Sequence, residues 1–203
     1  MANSVAKFEK VSYEQFKKDW EDTFSWSDMM DTGLLPKEFS DPKLPDKVIK
    51  DIYDNIKLPK RATSGSAGYD FYSPITINLA PSHTIKIPTG VRCKMEDDWV
   101  LKLYPRSGLG FKYRLQLNNT VGIIDSDYFY SDNEGHITAK ITNDTNENKT
   151  ASIEKGKGFM QGIFVEYGIT EDDYTDNTRN GGFGSTDKKA WCKWQKKHFT
   201  FAI

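Results

Sequence analysis

The segment WVLKLYPRSGLGFKYRLQLNNTVGIIDSDY, residues 99–128, indicates most directly which fold this chain adopts. It begins with an apolar and β-branched run over 99–104, and a second such run covers 120–124. Gly, Pro, Asn and Asp lie between and after the two runs. Runs of about four to eight residues bounded by turn-forming residues are typical of β-strands. The segment therefore predicts short strands joined by turns.

The same pattern extends on both sides of this segment. Further strands are predicted over Thr76–Leu79, Thr84–Pro88, His136–Asn143 and Gly158–Tyr167. Because no long amphipathic segments separate these strands, the pattern favours an antiparallel sandwich or barrel over alternating strand–helix units. We therefore predict an all-β domain from about residue 58 onward.

Residues 1–57 have a helical pattern instead. Ser12 and Gln15 resemble a capping box, and apolar residues follow at helical spacing: Phe16, Trp20 and Phe24. A second short helix is predicted over 48–56, between Pro45 and Pro59. The chain thus divides into a helical extension (1–57), a β domain (58–187) and a tail (188–203).

Composition excludes several classes of function. The chain has 203 residues, and 28 Lys and Arg against 29 Asp and Glu give a net charge of −1, so it lacks the global basic field that holds duplex nucleic acid. Neither a signal peptide nor a membrane span is recognisable, so we expect a cytoplasmic protein without a membrane partner. Cys93 and Cys192 share no CxxC spacing, and the three histidines lack metal-ligand spacing, which argues against a disulfide framework or a zinc site.

Two Gly-rich segments carry residues suited to binding phosphate. In Pro105–Gly110 (PRSGLG), the guanidinium, the hydroxyl and backbone N–H groups can converge on phosphate oxygens, although a plain surface loop is the alternative. The next residues, Phe111 and Lys112, could open a helix whose amino end favours an anion. Residues 179–186 (RNGGFGST) could lay Phe183 on a ring, and a flexible linker is the alternative.

Carboxylates mark two further segments. Asp125 and Asp127 follow an apolar strand, and an extended chain would place both on one face. Such a pair can orient a water, hold a cation or simply end a hairpin. Asp70, in the segment AGYD (67–70), could cap a turn. Gln161 lies inside an apolar strand and needs a hydrogen-bond partner if it is buried.

Together and in this order, five segments resemble the five motifs of the trimeric dUTP pyrophosphatases, the dUTPases, over about residues 58–187. The matching segments are AGYD at 67–70, PRSGLG at 105–110, GIIDSDY at 122–128, GFMQ at 158–161 and GGFGST at 181–186. The continuation NEGHI at 133–137 is similar to dUTPases of bacteriophages or of their low-GC Gram-positive hosts.

The resemblance implies a distorted antiparallel barrel or jelly roll that assembles as a homotrimer with active sites shared between subunits. It also implies hydrolysis of dUTP to dUMP and pyrophosphate with Mg²⁺. By position, Asp125 corresponds to the general base and Gln161 to a residue that positions phosphate and water. Tyr128 would pack on the deoxyribose. Uracil would be recognised by Asn119 and by backbone groups at Gly122 and Ile124.

The same resemblance assigns the remaining site residues. Arg106, Ser107 and Gly108 match the triphosphate loop, and Asp70 would hold a water of the Mg²⁺ shell. The arm that closes over the substrate would use Phe183 on uracil and Arg179, Ser185 and Thr186 on the outer phosphates, with Gly184 as a further substrate-binding residue.

Three features depart from the family pattern. Residues 129–135 lengthen the chain after Tyr128, a single residue separates Arg179 from GGFGST, and 16 residues follow Asp187. The tail, with five lysines among aromatic residues, is predicted to be a packed terminal strand, and a single-stranded nucleic acid or membrane surface is the alternative. The extension could cover a trimer face, contact another protein or lie near a site mouth. Two other functions stay open: a phage regulatory or interaction protein on a dUTPase scaffold that binds a partner through residues 1–57 or the tail, and a relative of the dCTP deaminases.

Overall fold

Short β-strands are the commonest regular elements of the structure. The structure is a computed structural model that describes residues 4–37, 41, 43–175 and 179. Within these ranges the strands are β1 Ala6–Lys10, β2 Lys60–Arg61, β3 Tyr69–Tyr72, β4 Ile77–Leu79, β5 Thr84–Pro88, β6 Val91–Met95, β7 Trp99–Pro105, β8 Leu115–Leu117, β9 Gly122–Ile124, β10 Thr138–Asn143, β11 Ala151–Ile153 and β12 Gly158–Glu166. The helices are α1 Tyr13–Glu21, α2 Trp26–Asp31, α3 Leu44–Asp54 and α4 Ser107–Tyr113, with a 3-10 helix at Ser126–Tyr130.

The strand pairs are antiparallel, as predicted. The largest sheet has the order β2-β3-β12-β7-β9, and smaller sheets are β5-β10-β8, β1-β6 and β11-β4. All six predicted strands are present, and Thr84–Pro88 has the predicted bounds. The all-β class of the main domain is therefore confirmed, with jelly-roll-like antiparallel sheets.

The two predicted helices of the extension are also confirmed. The Ser12 side chain accepts a hydrogen bond from the Gln15 backbone N–H at 3.1 Å and starts α1, while Pro45 lies in the first turn of α3. Two elements of the extension were not predicted. Helix α2 has its own capping box at Ser25 and Asp28, and β1 pairs with β6 in the register Phe8↔Cys93.

One hydrophobic core joins the extension to the sheets. Phe16 and Trp20 of α1 are fully buried in the same cluster as Phe71 and Leu101 of the largest sheet. Phe8 of β1 lies on that sheet, with its ring centroid 5.5 Å from the Phe71 ring. The helices within the described residues are too short or too polar to cross a membrane.

Candidate active site

Three predicted site residues lie side by side on the largest sheet. Asp70 of β3 stands opposite Gln161 of β12 in the antiparallel register. Arg106, directly after β7, brings its Nε to 3.2 Å from Oδ1 of Asp70. The structure thus brings together one residue from each of three sequence motifs, and we call Asp70, Arg106 and Gln161 the phosphate-side cluster.

Two glycines of the motifs allow these side chains to pack against backbone. A Cβ atom on Gly68 would lie 2.8 Å from Oε1 of Gln161, and a Cβ on Gly158 would lie 2.9 Å from Nη1 of Arg106. Both distances are shorter than real Cβ contacts, so a larger residue would displace the side chain. The Gln161 side chain also has a partner, since its Nε2 donates to the Pro105 carbonyl at 3.4 Å.

Helix α4 contains Ser107 and Gly108 in its first turn, with Arg106 as the N-cap residue. The sequence placed a possible helix start at Phe111 and Lys112, and that position was wrong: the helix begins at Ser107 and ends at Tyr113. Strand β7 ends at Pro105, whose φ is fixed by its ring. Arg106 has an extended backbone (φ −67°, ψ 138°), and the helix begins at the next residue.

A cavity of about 320 Å³ lies beside the strand that leads to Asp125. Among its lining residues are Asn119, Gly122, Ile124, Leu103 and Met160. Its walls are mainly apolar with a few polar groups, which is usual for sites that bind small organic molecules. Three of the residues assigned to uracil recognition therefore line one cavity.

A tight turn lies between Asn119 and Gly122, two of the residues that line this cavity. Thr120 has a left-handed backbone (φ 65°), and the Val121 N–H donates to the Asn119 carbonyl at 2.7 Å. This turn explains why the strand predicted from Thr120 begins only at Gly122. Gly122 packs closely on its neighbour strand, since a Cβ there would lie 3.0 Å from Cβ of Leu103.

Asp125 and Asp127 share one partner. The Arg179 Nε donates to Oδ1 of Asp127 at 2.8 Å, and its Nη2 donates to Oδ2 of Asp125. The two carboxylates thus point to the same side, as predicted, although the chain after Asp125 is a 3-10 helix and not extended. The guanidinium carbon of Arg179 is 5.9 Å from the centre of the Tyr128 ring.

Tyr128 is buried at the end of this segment, with 6% of its surface exposed. Its hydroxyl donates to the His136 carbonyl at 2.9 Å and accepts from Nδ2 of Asn133 at 2.8 Å. Burial raises the pKa of Tyr128, which outweighs the opposing hydrogen bond from Asn133. The sequence did not predict Asn133 and His136 as neighbours of Tyr128. Both lie in the NEGHI segment (133–137), which was noted only for its similarity to dUTPases of phages and their hosts.

The phosphate-side cluster and Asp125 lie apart within one chain. Gln161 stands opposite Tyr104 of β7, whereas Ile124 stands opposite Leu101 on the other edge of that strand. Three residues along a strand correspond to roughly 10 Å, and two strand spacings add roughly 10 Å across the sheet. Asp125 follows Ile124 in the chain and so lies one residue further still from the level of Gln161. A single chain therefore does not place Asp125 within hydrogen-bond reach of Gln161 or Arg106.

The residues of the predicted arm (Phe183, Gly184, Ser185 and Thr186) and the tail lie outside the described residues. Within the part of the chain that is described, no three His, Cys, Asp or Glu side chains group closely enough to hold a metal directly. Asp70 does offer a partly accessible carboxylate, with 18% of its side chain exposed. Carboxylate oxygen is a ligand that suits Mg²⁺ or its bound waters, so the site chemistry fits that ion.

Comparison with known proteins decides the family. The dUTPase family model matches residues 54–187. The chain belongs to the dUTPase family.

Individual relatives agree with this assignment. A deoxyuridine 5'-triphosphate nucleotidohydrolase of Lactococcus lactis is 42% identical over 134 residues, which are 64% of this chain and 88% of the relative. The enzyme of the same name from Hahella chejuensis is 38% identical over 148 residues, or 69% of this chain and 93% of the relative. The crystal structure of dUTPase from Streptococcus mutans aligns with a TM-score of 0.50 and 37% identity, covering 56% of this chain and 88% of the other.

The matched region leaves most of the extension of this dUTPase unmatched. It includes the cavity, the phosphate-side cluster, Asp125 and the arm segment, whereas β1, α1 and α2 precede it. The match supports the dUTPase branch over the dCTP deaminase branch. The regulatory alternative stays a prediction.

Proposed function

We propose that this dUTPase hydrolyses dUTP to dUMP and pyrophosphate, which limits uracil incorporation into DNA and supplies dUMP for dTMP synthesis. One observation carries the proposal: strand β9, whose Gly122 and Ile124 line the 320 Å³ cavity, leads directly into the carboxylate Asp125. A nucleotide whose base is bound in the cavity would therefore have a carboxylate one residue beyond the cavity wall, where it could take a proton from a water.

The cavity is assigned to the uracil base. Asn119, which lines the cavity, would supply an amide for the polar edge of the ring, and backbone groups at Gly122 and Ile124 would complete that recognition. A cytosine edge would leave some of these polar groups unpaired, which costs more than a small change in apolar contact. A tight hairpin around the base would also exclude a 5-methyl group sterically. The site should thus reject dCTP and dTTP.

In the proposed mechanism, Asp125 takes a proton from water as the water oxygen attacks the α-phosphorus. A new P–O bond forms, the bond from the α-phosphorus to the bridging oxygen breaks, and pyrophosphate leaves with that oxygen. Gln161 helps to position the water and the phosphate through its side-chain amide. Positioning and charge neutralisation supply most of the acceleration in phosphoryl transfer.

The phosphates are assigned to Arg106, Ser107 and Gly108. The Arg106 guanidinium is already oriented by Asp70, and a planar guanidinium can bind two phosphate oxygens at once. Asp70 would hold a water of a Mg²⁺ ion, and that ion would neutralise part of the triphosphate charge. Arg179, Gly184, Ser185 and Thr186 are assigned to the outer phosphates and Phe183 to the base. Because Arg179 contacts Asp125 and Asp127 here, substrate phosphates would have to compete for it.

A second copy of the chain is proposed to complete each site. The phosphate-side cluster and Asp125 stand at different ends of β7 in one chain, so one copy would supply the former and a neighbouring copy the latter. A closed symmetric ring satisfies this requirement for every copy. We propose a homotrimer with three shared sites.

The proposal is tested by measuring pyrophosphate release from dUTP, dCTP, dTTP and UTP with Mg²⁺. We expect release from dUTP, with Asp125→Asn lowering turnover by roughly 10²–10⁴-fold because the general base is lost. Asp127→Asn is the matched control, since it also faces Arg179 but has no assigned role. Near-normal turnover in Asp125→Asn would remove Asp125 as the base, and no release from dUTP would remove the proposed activity.

A further inference from the structure

A polar stripe on helix α1 faces the segment that follows Tyr128. Ser12, Gln15 and Asp19 recur at helical spacing, so they lie on one side of the helix. Nε2 of Gln15 donates to Oδ2 of Asp19 at 2.8 Å, which fixes the carboxylate along the helix. These residues precede the part of the chain that matches the dUTPase family.

The first anchor of this stripe is Glu134. The Ser12 backbone N–H donates to Oε2 of Glu134 at 2.7 Å, and the Ser12 hydroxyl donates to Oε1 at 2.6 Å. Glu134 has a left-handed backbone (φ 57°), which is unfavourable for a residue with a side chain. Two hydrogen bonds to its carboxylate therefore hold a strained turn in place.

The second anchor is His136, which is completely buried. The Gly90 backbone N–H donates to its Nε2 at 2.7 Å, so Nε2 is the acceptor and Nδ1 carries the proton. Nδ1 in turn donates to Oδ2 of Asp19 at 2.5 Å. The imidazole is thus held between the turn that joins β5 to β6 and helix α1, and both of its nitrogen atoms are satisfied.

These anchors reach Tyr128 through the backbone. The carbonyl of His136 accepts the Tyr128 hydroxyl, and Nδ2 of Asn133 donates to the same hydroxyl. The turn between Asn133 and His136 packs tightly against Tyr128, because a Cβ on Gly135 would lie 2.6 Å from the Tyr128 carbonyl oxygen. A shift of residues 133–136 would therefore displace both hydrogen-bond partners of the Tyr128 hydroxyl.

We propose that α1 acts, through Asp19 and His136, as a positioning element for Tyr128 and thereby strengthens discrimination between dUTP and UTP. The inference rests on the proposed function and on the role that the family resemblance implies for Tyr128, which would pack on the deoxyribose. A ring packed there would leave no room for a 2′-hydroxyl, so its position would decide how well UTP is rejected. Asp19 and His136 are positioning residues, since they act through Tyr128 and do not contact substrate.

The test compares kcat/KM for dUTP with kcat/KM for UTP. Asp19→Ala removes the acceptor for Nδ1 of His136 and is expected to lower the dUTP/UTP ratio by about 10- to 100-fold, the scale of a small misplacement in an active site. Asp19→Asn keeps an acceptor oxygen and should restore most of the ratio. The matched control is Glu14→Ala, which removes an exposed carboxylate from the same helix.

Two further variants separate the possible failures. Tyr128→Leu tests the role of Tyr128 itself. Should Asp19→Ala fail to fold, Ser12→Ala removes the hydroxyl hydrogen bond to Glu134 and keeps the one from the Ser12 backbone N–H. A ratio that falls in Tyr128→Leu but stays within about twofold of wild type in the folded α1 variants would overturn the inference alone. An unchanged ratio in Tyr128→Leu would overturn the proposed role of Tyr128, and the inference with it. A lower dUTP/UTP ratio in Asp19→Ala, with most of the ratio restored in Asp19→Asn, would support the inference.

Discussion

Nδ1 of His136 lies 2.5 Å from Oδ2 of Asp19, although the two residues are 117 positions apart. The contact joins a helix of the amino-terminal extension to the segment that follows the proposed catalytic carboxylate. The extension is therefore packed into the same fold as the dUTPase-like sheets and is placed to affect their chemistry.

The first prediction concerns pH. Burial acts to raise the pKa of Asp19, but hydrogen bonds from His136 and Gln15 outweigh it, so the pKa in the folded protein lies below its usual value. A carboxyl with a pKa lowered by folding stabilises the protein above its unfolded pKa, and this contribution is lost as the pH falls through the folded pKa. We expect the difference in unfolding free energy between wild type and Asp19→Asn to shrink below about pH 4, measured by urea unfolding. An equal difference at neutral and acidic pH would contradict this assignment.

The second prediction concerns the turn at Gly135. Its backbone is left-handed (φ 69°), and a Cβ would also meet the backbone of Tyr128 and Phe129. Gly33 is a matched control, with φ 74° and open space around a Cβ. Gly33→Ala should cost about 1–2 kcal/mol of unfolding free energy from the backbone alone. Gly135→Ala should cost at least about 1 kcal/mol more, because of the clash; equal losses would mean that the turn adapts.

The third prediction separates activity from stability at Gly68. A methyl group there would push against Oε1 of Gln161, the far end of a flexible side chain, so the fold should tolerate it. We expect Gly68→Ala to lower kcat/KM for dUTP about tenfold or more, with little change in thermal stability. Gly65→Ala, where a Cβ meets open space, should leave both unchanged. Normal kcat/KM in Gly68→Ala would show that the position of Gln161 is not critical.

The fourth prediction uses Cys93 as a probe of unfolding. Burial raises the pKa of the Cys93 thiol to about 12, so very little reactive thiolate exists at neutral pH. In a Cys192→Ser variant, Cys93 should react with a disulfide reagent only as fast as the core opens. Urea below the unfolding midpoint should therefore accelerate the reaction in step with the unfolding equilibrium. Rapid labelling of the native protein would contradict the burial of Cys93.

Local patterns predicted much of this fold. Thr84–Pro88 alternates polar and apolar residues and is rich in β-branched side chains, as is typical of a strand, and it forms β5. Ser12 caps a helix, as the capping pattern in the sequence predicts. Strand β1 could not be predicted in this way, because AKFEK is a short, charged stretch whose strand character depends on pairing with β6. The pairing partner is a tertiary feature, and propensity does not report it.

The site was predicted only in part for the same reason. The resemblance of the motifs to those of the dUTPases predicted Asp70, Arg106 and Gln161 as site residues, and the sheet register brings the three together. The contacts of Tyr128 with Asn133 and His136, and of His136 with Asp19, depend on how a turn and a distant helix pack. No local pattern in the sequence encodes that arrangement.

The most direct test of the account is complementation between two inactive variants, because one chain keeps Asp125 apart from the phosphate-side cluster. Asp125→Asn and Gln161→Ala are each purified alone, and also unfolded together and refolded as an equal mixture. If neighbouring copies complete each site, about a quarter of the sites in random assemblies carry both native residues, and the mixture should regain activity toward dUTP on that scale. A mixture no more active than the separate variants, with assembly confirmed by light scattering, would contradict a site shared between copies.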